Sequence, residues 1–600
     1  MEHRTIVKTF LDNARSFSRD VIIKYKKEKG GPYVDLTWEE LRDMALSFAC
    51  GLIDAGMQPG DRLAVLSFNR LEWIVADLGT ILAGGANVAI YHTNTPDQCE
   101  YIINDSGARF LVVEDNAQLA KVLAKMAELK GLAKIILIEG TAAEGDDAII
   151  SYEMLLNKGA ALKGELQEEI ERRKDRVNPD DMATIVYTSG TTGPPKGCMI
   201  SHRNLATVLD SIHQLFQLDP KTNLSLMILP LSHLYPRVSS YYYNISMNIP
   251  FAIAESLDTL GRNMMEAHPT YIASVPRVFE KVYARIASAA EKGSSLKRLV
   301  FRWAVDVGRQ RSRKLNAHKP LSPMLRFKFD IADKLVFQKI REMLGGRLWF
   351  AVSAGAPLSA EVGEFMHSIG IQILEFYALT ETISGTMTTF EHCRYGTVGK
   401  PMPGVEVKLA ADGEILIRGN NFMGYYNKDE LTAELLMDGW ICTGDVGRWD
   451  EDRFLIITDR KKDLIITSGG KNISPQNIEN MFGSVPLVSH VMVHGDRRQY
   501  LTALVTLSQV ETEALAQERG ISYRTYEELT QSHEIRDQIQ KRIDEVNSKL
   551  ARYETIKKFI ILPREFCQEE GEVTPTLKLK RKSIREKYGH ILDSLYEEDA

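Results

Sequence analysis

Residues 189–197 read SGTTGPPKG, nine consecutive positions that offer hydroxyls, glycines, prolines and one lysine but no large apolar side chain. They follow the β-branched run TIVYT, which ends at Thr188 and reads as a strand. A strand running into Ser189, Gly190, Thr191, Thr192 and Gly193 aims backbone N–H groups and hydroxyls at one point, and Lys196 adds a mobile positive charge. That set suits a polyphosphate. Glycine lets the backbone approach a ligand closely, while the two prolines limit how far the loop can wander. The Walker A pattern demands G-x-x-x-x-G-K-[ST]; here Pro195 precedes Lys196 and Gly197 follows it, so an ordinary P-loop is excluded.

The elements that must position this loop are of α/β type. Short apolar runs recur with helical stretches between them: RLAVL from Arg62, FLVV from Phe110, KIILI from Lys134, YIASV from Tyr271, RLWFAVS from Arg347 and IQILEF from Ile371. The alternation predicts α/β layers with largely parallel sheets, in which ligands sit at the loops that leave the strands. From about Gly404 the texture changes, and VEVKLAADGEILIRG predicts a hairpin turning at Asp412 and Gly413, part of a small antiparallel β subdomain over about 400–458. A third region holds LIIT from Leu464, HVMV from His490 and LTALVTL from Leu501, then a charged helix with an apolar stripe at Ile535, Ile539, Ile543, Val546 and Leu550. Burial of that stripe against its own domain is the expectation. The charged link DRKKD, 459–463, is the candidate hinge, dividing the chain into a large domain, 1–460, and a small mobile α+β domain, 461–600.

Composition narrows the class. With 44% hydrophobic and 26% charged residues over 600 positions, several ordinary globular domains are expected. A formal net charge of −6 argues against a nucleic-acid partner. The six cysteines are scattered, without CxxC or zinc-like Cys/His spacing, and read as free thiols of a reducing compartment. No apolar run reaches the ~18 residues of a membrane span, and the first twenty residues have neither a secretory core nor an acid-poor composition, so a cytoplasmic protein is expected.

Four later segments join the opening loop in a resemblance to the AMP-forming adenylating enzymes, the superfamily of acyl-CoA synthetases, peptide-synthetase adenylation domains and firefly luciferase. They are SAGAPLS (353–359), EFYALTET (375–382), the block from GWICTGD to SPQNIE (439–479) and GEVTPTLKLKRKSI from Gly571, and the resemblance covers nearly the whole chain. It implies that Thr188, the 189–193 loop and Lys196 hold ATP phosphates, with Thr192 also catalytic. By the same likeness Gly355, Ala356 and Pro357 form an adenine wall, Tyr377 stacks on the base and Thr380 touches the α-phosphate. Glu381 becomes the magnesium ligand; a carboxylate beside a polyphosphate needs a cation between them. The family usually has glycine where this chain has Ala378. Asp445 is implied as acceptor for both ribose hydroxyls, which suits an acceptor-only carboxylate, and Arg460 reaches the same sugar. Lys462 matches the hinge, and Ser468, Gly469, Gly470 and Lys471 the wall of a coenzyme A channel. Lys578 matches the catalytic lysine, with Lys580 as its rival; the family often reads Ser-Gly-Lys where this chain has Thr576-Leu577-Lys578. His233, in PLSHLYPR, matches a position near the reacting carboxylate.

The reaction so implied has two steps. A carboxylate attacks the α-phosphate of ATP, releasing pyrophosphate and leaving an acyl adenylate; coenzyme A then takes the acyl group. The segments 274–283 (SVPRVFEKVY) and 82–102 resemble the long-chain fatty acyl-CoA synthetases in particular. The aromatic run from Leu234, LYPRVSSYYYNISMNIP, reads either as the wall of an alkyl tunnel or as ordinary core. The basic, proline-interrupted stretch 308–329 reads as a solvated hairpin, with an anionic membrane surface as its alternative partner. A homodimer is a further partner expectation. The alternatives are an acyl-AMP ligase serving a carrier protein, a medium-chain, aryl or bile-acid CoA ligase, and a non-catalytic adenylate-binding module.

Overall fold

The structure is a computed structural model that describes residues 5–141, 147–188, 194–468, 471–483, 485–574 and 577–597. Two large sheets carry the first part of the chain. One has eight strands in the order Gly424–Tyr425, Lys196–Ser201, Met182–Thr188, Ala86–Ile90, Arg62–Leu66, Phe110–Val113, Lys134–Leu137 and Ile149–Ser151. From Met182–Thr188 onward its neighbours are all parallel. The nine-stranded sheet has a parallel run of Gln372–Tyr377, Phe350–Ala354, Tyr271–Ser274, Ser225–Met227, Phe251–Ile253 and Val21–Lys26, with antiparallel strands at both ends. Strands such as ANVAI and FLVV are buried at every position, which is why they read as continuous apolar runs rather than alternating ones.

Helices between the strands begin and end where local chemistry dictates. Pro96–Ser106 starts at a Thr95–Gln98 capping box with proline in its first turn and stops at Gly107, φ +61°. The expected hairpin pairs Glu406–Leu409 with Glu414–Arg418 around Gly413 at φ +85°, inside a five-stranded sheet completed by Trp440–Trp449, Leu455–Arg460 and Leu436–Met437.

A separate core begins at Ile465. Val488–His494, Leu501–Leu507 and Ile556–Ile561 form a three-stranded sheet, and the helix His533–Asn547 lays Ile535, Ile539, Ile543 and Val546 in the same buried cluster. That stripe is a core face, as expected. The aromatic run from Leu234 also packs inward. Tyr241 and Tyr242 are fully buried and donate their hydroxyls to Asp77 at 3.0 and 2.9 Å, and Arg237 lies buried over Trp73. The core reading of that segment therefore describes these residues. RLWFAVS forms its strand only from Phe350, and LIIT pairs only at Ile465–Ile466.

Candidate functional site

Gly355, Ala356, Pro357, Tyr377, Asp445, Arg460 and Lys578 line one cavity. Sheet register explains how residues so far apart in sequence meet. Ser353 pairs with Glu375 and Ala354 with Phe376, so the loop after the first strand opens beside Tyr377 at the end of the second. Asp445 is the cross-strand partner of Arg460, and its Oδ1 accepts from the arginine Nε at 2.7 Å. Its Oδ2 accepts from the Tyr377 hydroxyl at 2.8 Å. Asp445, 5% exposed, is thus a buried carboxylate with a partner on each oxygen. Gly355, which lines the cavity, and Gly444, next to Asp445, take positive φ, +87° and +71°.

Lys578 reaches this cavity from the last thirty residues. Its carbonyl accepts from the Thr574 N–H at 2.8 Å, its own N–H donates to Thr574 Oγ1 at 3.0 Å, and Val573 bridges Leu579, so it rides on a small hairpin. Leu577, just before it, sits at φ +61°, a left-handed conformation that favours glycine, the residue the resemblance expects there. The hairpin base is anchored by Glu572, fully buried, which takes two bonds from Arg564 at 2.7 Å and one from Tyr588 at 2.8 Å. These partners overcome burial and hold its carboxyl down at about 2. Burial, and secondarily Arg460, pulls the Lys578 ammonium down to about 8, against the pull of Asp445. Lys580 is not in the lining of this cavity; its N–H closes the hairpin base on the Glu572 carbonyl at 2.8 Å.

A second group lies at the end of the glycine-rich loop. Thr188 and Lys196 face each other across the antiparallel pair Met182–Thr188 and Lys196–Ser201. Ser189, Gly190, Thr191, Thr192 and Gly193 lie outside the described residues, as do Gly469 and Gly470. Tyr425 joins the loop to Glu381: its hydroxyl donates to Glu381 Oε1 at 2.6 Å, and the Lys196 ammonium stands 4.9 Å over its ring. Glu381 shares a tight turn with Thr380, fixed by bonds from the Thr382 and Ile383 N–H groups to the Leu379 carbonyl, with Ile383 at φ +60°. A β-branched residue in that region is strained and persists because packing overdetermines it. Among the described residues no group of three or more His, Cys, Asp or Glu side chains could hold a metal. A lone carboxylate fits a hard cation whose other ligands are phosphate oxygens and water.

The remaining expected residues lie elsewhere. His233 accepts the Tyr235 N–H on Nδ1 at 3.1 Å and so caps the short helix Leu234–Pro236; burial, then Arg237, lowers it to about 4. It is not in the lining of the cavity. Lys462 is exposed in the turn where the Asp463 and Leu464 N–H groups bond the Arg460 carbonyl. Ser468 donates to the Arg498 carbonyl at 2.9 Å and Lys471 lies 5.8 Å over the Tyr553 ring, away from the cavity.

Glu375 carried no role in the sequence reading, yet it lines the cavity. Its Oε2 accepts the Leu358 N–H at 3.2 Å, and its Oε1 is buried without a hydrogen-bond partner among the described residues. Burial raises its pKa to about 8, so it is a neutral acid with a hydroxyl to donate. The signal was an acidic residue inside the apolar run QILEFY. An unfolded glutamate loses its proton near 4.5, whereas this one keeps it to about 8, so stability is fully present below 4.5 and falls as pH rises toward 8. Glu375→Gln is therefore expected to match the native melt at pH 4.5 and exceed it at pH 9 by a few kcal/mol in urea or thermal unfolding. A difference that does not change with pH would contradict a neutral Glu375.

These features place the chain. It matches the AMP-binding enzyme family over residues 10–426 and the AMP-binding enzyme C-terminal domain over 462–600, and it belongs to that family. It is 33% identical over 606 residues to the long-chain-fatty-acid–CoA ligase FadD15 of Mycobacterium bovis, covering 100% of this chain and 98% of that one. To the long-chain-fatty-acid–CoA ligase ACSBG2 of Mus musculus it is 33% identical over 99% of this chain and 93% of that one. Its fold is that of the adenylation domain of a carboxylate reductase from Mycobacterium chelonae, with TM-score 0.76, 21% identity, and coverage of 99% and 91% of the two chains.

Proposed function

We propose that this protein is an AMP-forming long-chain fatty acid–CoA ligase, converting fatty acid, ATP and coenzyme A to acyl-CoA, AMP and pyrophosphate through an acyl adenylate. The observation that carries the reading is the convergence of Lys578 on the cavity of Asp445, Arg460 and Tyr377. The two relatives named above, each aligned over nearly the whole chain, support the substrate class. In this reading Asp445 and Arg460 hold the ribose, Tyr377 and the 355–357 loop hold the purine, and neutral Glu375 donates to a purine acceptor. The first step brings two anions together, so charge neutralisation governs it. Lys578 and Lys196 stabilise charge developing on the α-phosphate and the departing pyrophosphate. Magnesium, held by Glu381 and the phosphates, would supply further charge neutralisation when bound.

The adenylate is a mixed anhydride, so the second step needs only a thiolate at its carbonyl and the exclusion of water. We place the division at a hinge on Lys462, between domains 1–460 and 461–600. Exposure of Lys462 and the separate core beyond it support that division. Rotation there would withdraw Lys578 and bring the 468–471 segment to the cavity.

The basic stretch adds a membrane contact to the proposal. Its helices, Ser295–Asn316 and Pro323–Ala332, expose Leu296, Leu299, Met324 and Phe327 by 63–70% each. Ser295–Asn316 carries seven basic residues and one acidic one. Exposed apolar side chains among cations suit an anionic lipid surface, where long-chain acids partition. No helix among the described residues is long and apolar enough to cross a membrane.

One experiment covers both readings. Pyrophosphate release with Mg-ATP is measured for acids from acetate to stearate, with and without coenzyme A, the longer acids being presented in zwitterionic or anionic vesicles. Turnover that requires coenzyme A, peaks with long acids and rises on anionic vesicles is expected. Adenylate without acyl-CoA would move the assignment to an acyl-AMP ligase, and equal rates on both vesicles would remove the membrane contact.

A further inference from the structure

The helix Pro276–Glu291 belongs to the large N-terminal part of the chain, yet its first turn grips the C-terminal part. The Arg277 guanidinium donates through Nη2 to the carbonyls of Ser489 and Val488, at the start of the strand Val488–His494, the second bond at 3.4 Å. Through Nη1 it also holds Glu280, one turn along its own helix, at 3.2 Å. Glu280 is 8% exposed, and across from it stands Gly483, where an added Cβ would lie 2.7 Å from the Glu280 carboxyl carbon. Further along the helix, Ser288 donates to Glu511 at 3.3 Å. The helix is therefore a rail along which the C-terminal part is seated.

The grip leads to the catalytic hairpin. Next to Ser489, the His490 ring has its Nδ1 3.2 Å from the Ser489 hydroxyl and borders the same cleft as Leu577, the residue before Lys578. Arg277, His490, Leu577 and Lys578 line one cleft between the two parts. Removing the clamp would free the strand that lines this cleft together with Leu577 and Lys578 while leaving the cavity of Asp445 and Tyr377 intact. The second half-reaction has no use for this pose, because it proceeds with Lys578 withdrawn.

We propose that Arg277 is a positioning residue for adenylate formation: by clamping the Val488 and Ser489 carbonyls it seats the C-terminal part in the pose that presents Lys578. This rests on reading Lys578 as the lysine of the first half-reaction. The test uses the full chain and measures the two half-reactions separately, as ATP–pyrophosphate exchange with palmitate and as acyl transfer to coenzyme A from supplied palmitoyl adenylate. Arg277→Ala is expected to slow exchange ~10–100-fold, the value of a charge-assisted clamp, and to leave transfer within about twofold. Arg277→Lys, which keeps the charge but loses the fork, should fall between. Gly483→Ala, a wedge against Glu280 placed on the other side of the contact, should reproduce the same split if Arg277→Ala proves poorly folded. Parallel loss of both half-reactions, or no change in either, in Arg277→Ala and Gly483→Ala would overturn the proposal. Lys578→Ala, measured alongside, separates the two failures. If it leaves exchange intact, the reading of Lys578 falls; if it abolishes exchange while the Arg277 and Gly483 variants keep it, only the clamp falls.

Discussion

Replacing Lys578 by alanine is expected to lower adenylate formation by ~10²–10³-fold while acyl transfer from supplied adenylate stays nearly unchanged. The magnitude follows from removing one fixed charge aimed at a developing anion in a site screened from water. The selectivity follows from geometry, since Lys578 is delivered by a hairpin of the C-terminal part whereas Asp445, Arg460 and Tyr377 belong to the other part. The pH profile gives a second readout. With its pKa lowered to about 8, Lys578 is charged below that pH and loses its proton as pH rises through it. In the free enzyme, kcat/KM for ATP should fall above about pH 8, and Lys578→Arg, which keeps its charge, should lose that descending limb. Equal damage to both half-reactions in the alanine variant would refute the two-pose account.

Asp445→Ala should produce the second large effect, a fall in kcat/KM for ATP of ~10²–10⁴-fold. The carboxylate is read as acceptor for two ribose hydroxyls, and hydrogen bonds to a charged group contribute about 1.5–3 kcal/mol each. The loss also leaves Arg460 half-buried without its 2.7 Å partner. A nucleotide lacking one ribose hydroxyl should lose less with the variant than with the native enzyme, because the missing interaction is already gone. If both enzymes discriminate equally between ATP and 2′-deoxy-ATP or 3′-deoxy-ATP, Asp445 does not hold the sugar.

The strands were legible because their apolar runs are continuous, and the loops because they break those runs with residues of unusual type. SAGAPLS and EFYALTET read as strand-end loops from local pattern alone, and the register of their strands then places them side by side. What the sequence hid depends on packing between distant segments. Glu375 looks like a surface acid until burial on an inner strand makes it neutral. Tyr425 has no local sign that it bridges Glu381 and Lys196. Arg277 meets a carbonyl 212 residues away. His233 was legible as a motif match, and what the sequence did not show is that its ring also caps the helix Leu234–Pro236.

The doubly satisfied state of Asp445 bears on turnover. Both of its oxygens are engaged by Arg460 and Tyr377 in the protein alone. On the proposed reading, a sugar arriving there adds to a carboxylate that already has one partner on each oxygen, so its gain is offset in part by any bond that Tyr377 or Arg460 gives up. On that reading the same exchange runs backward when AMP departs, with Tyr377 and Arg460 restoring their bonds to the carboxylate. A ligase that must discharge a nucleotide every cycle is served better by such substitution than by a site that starves until it is filled.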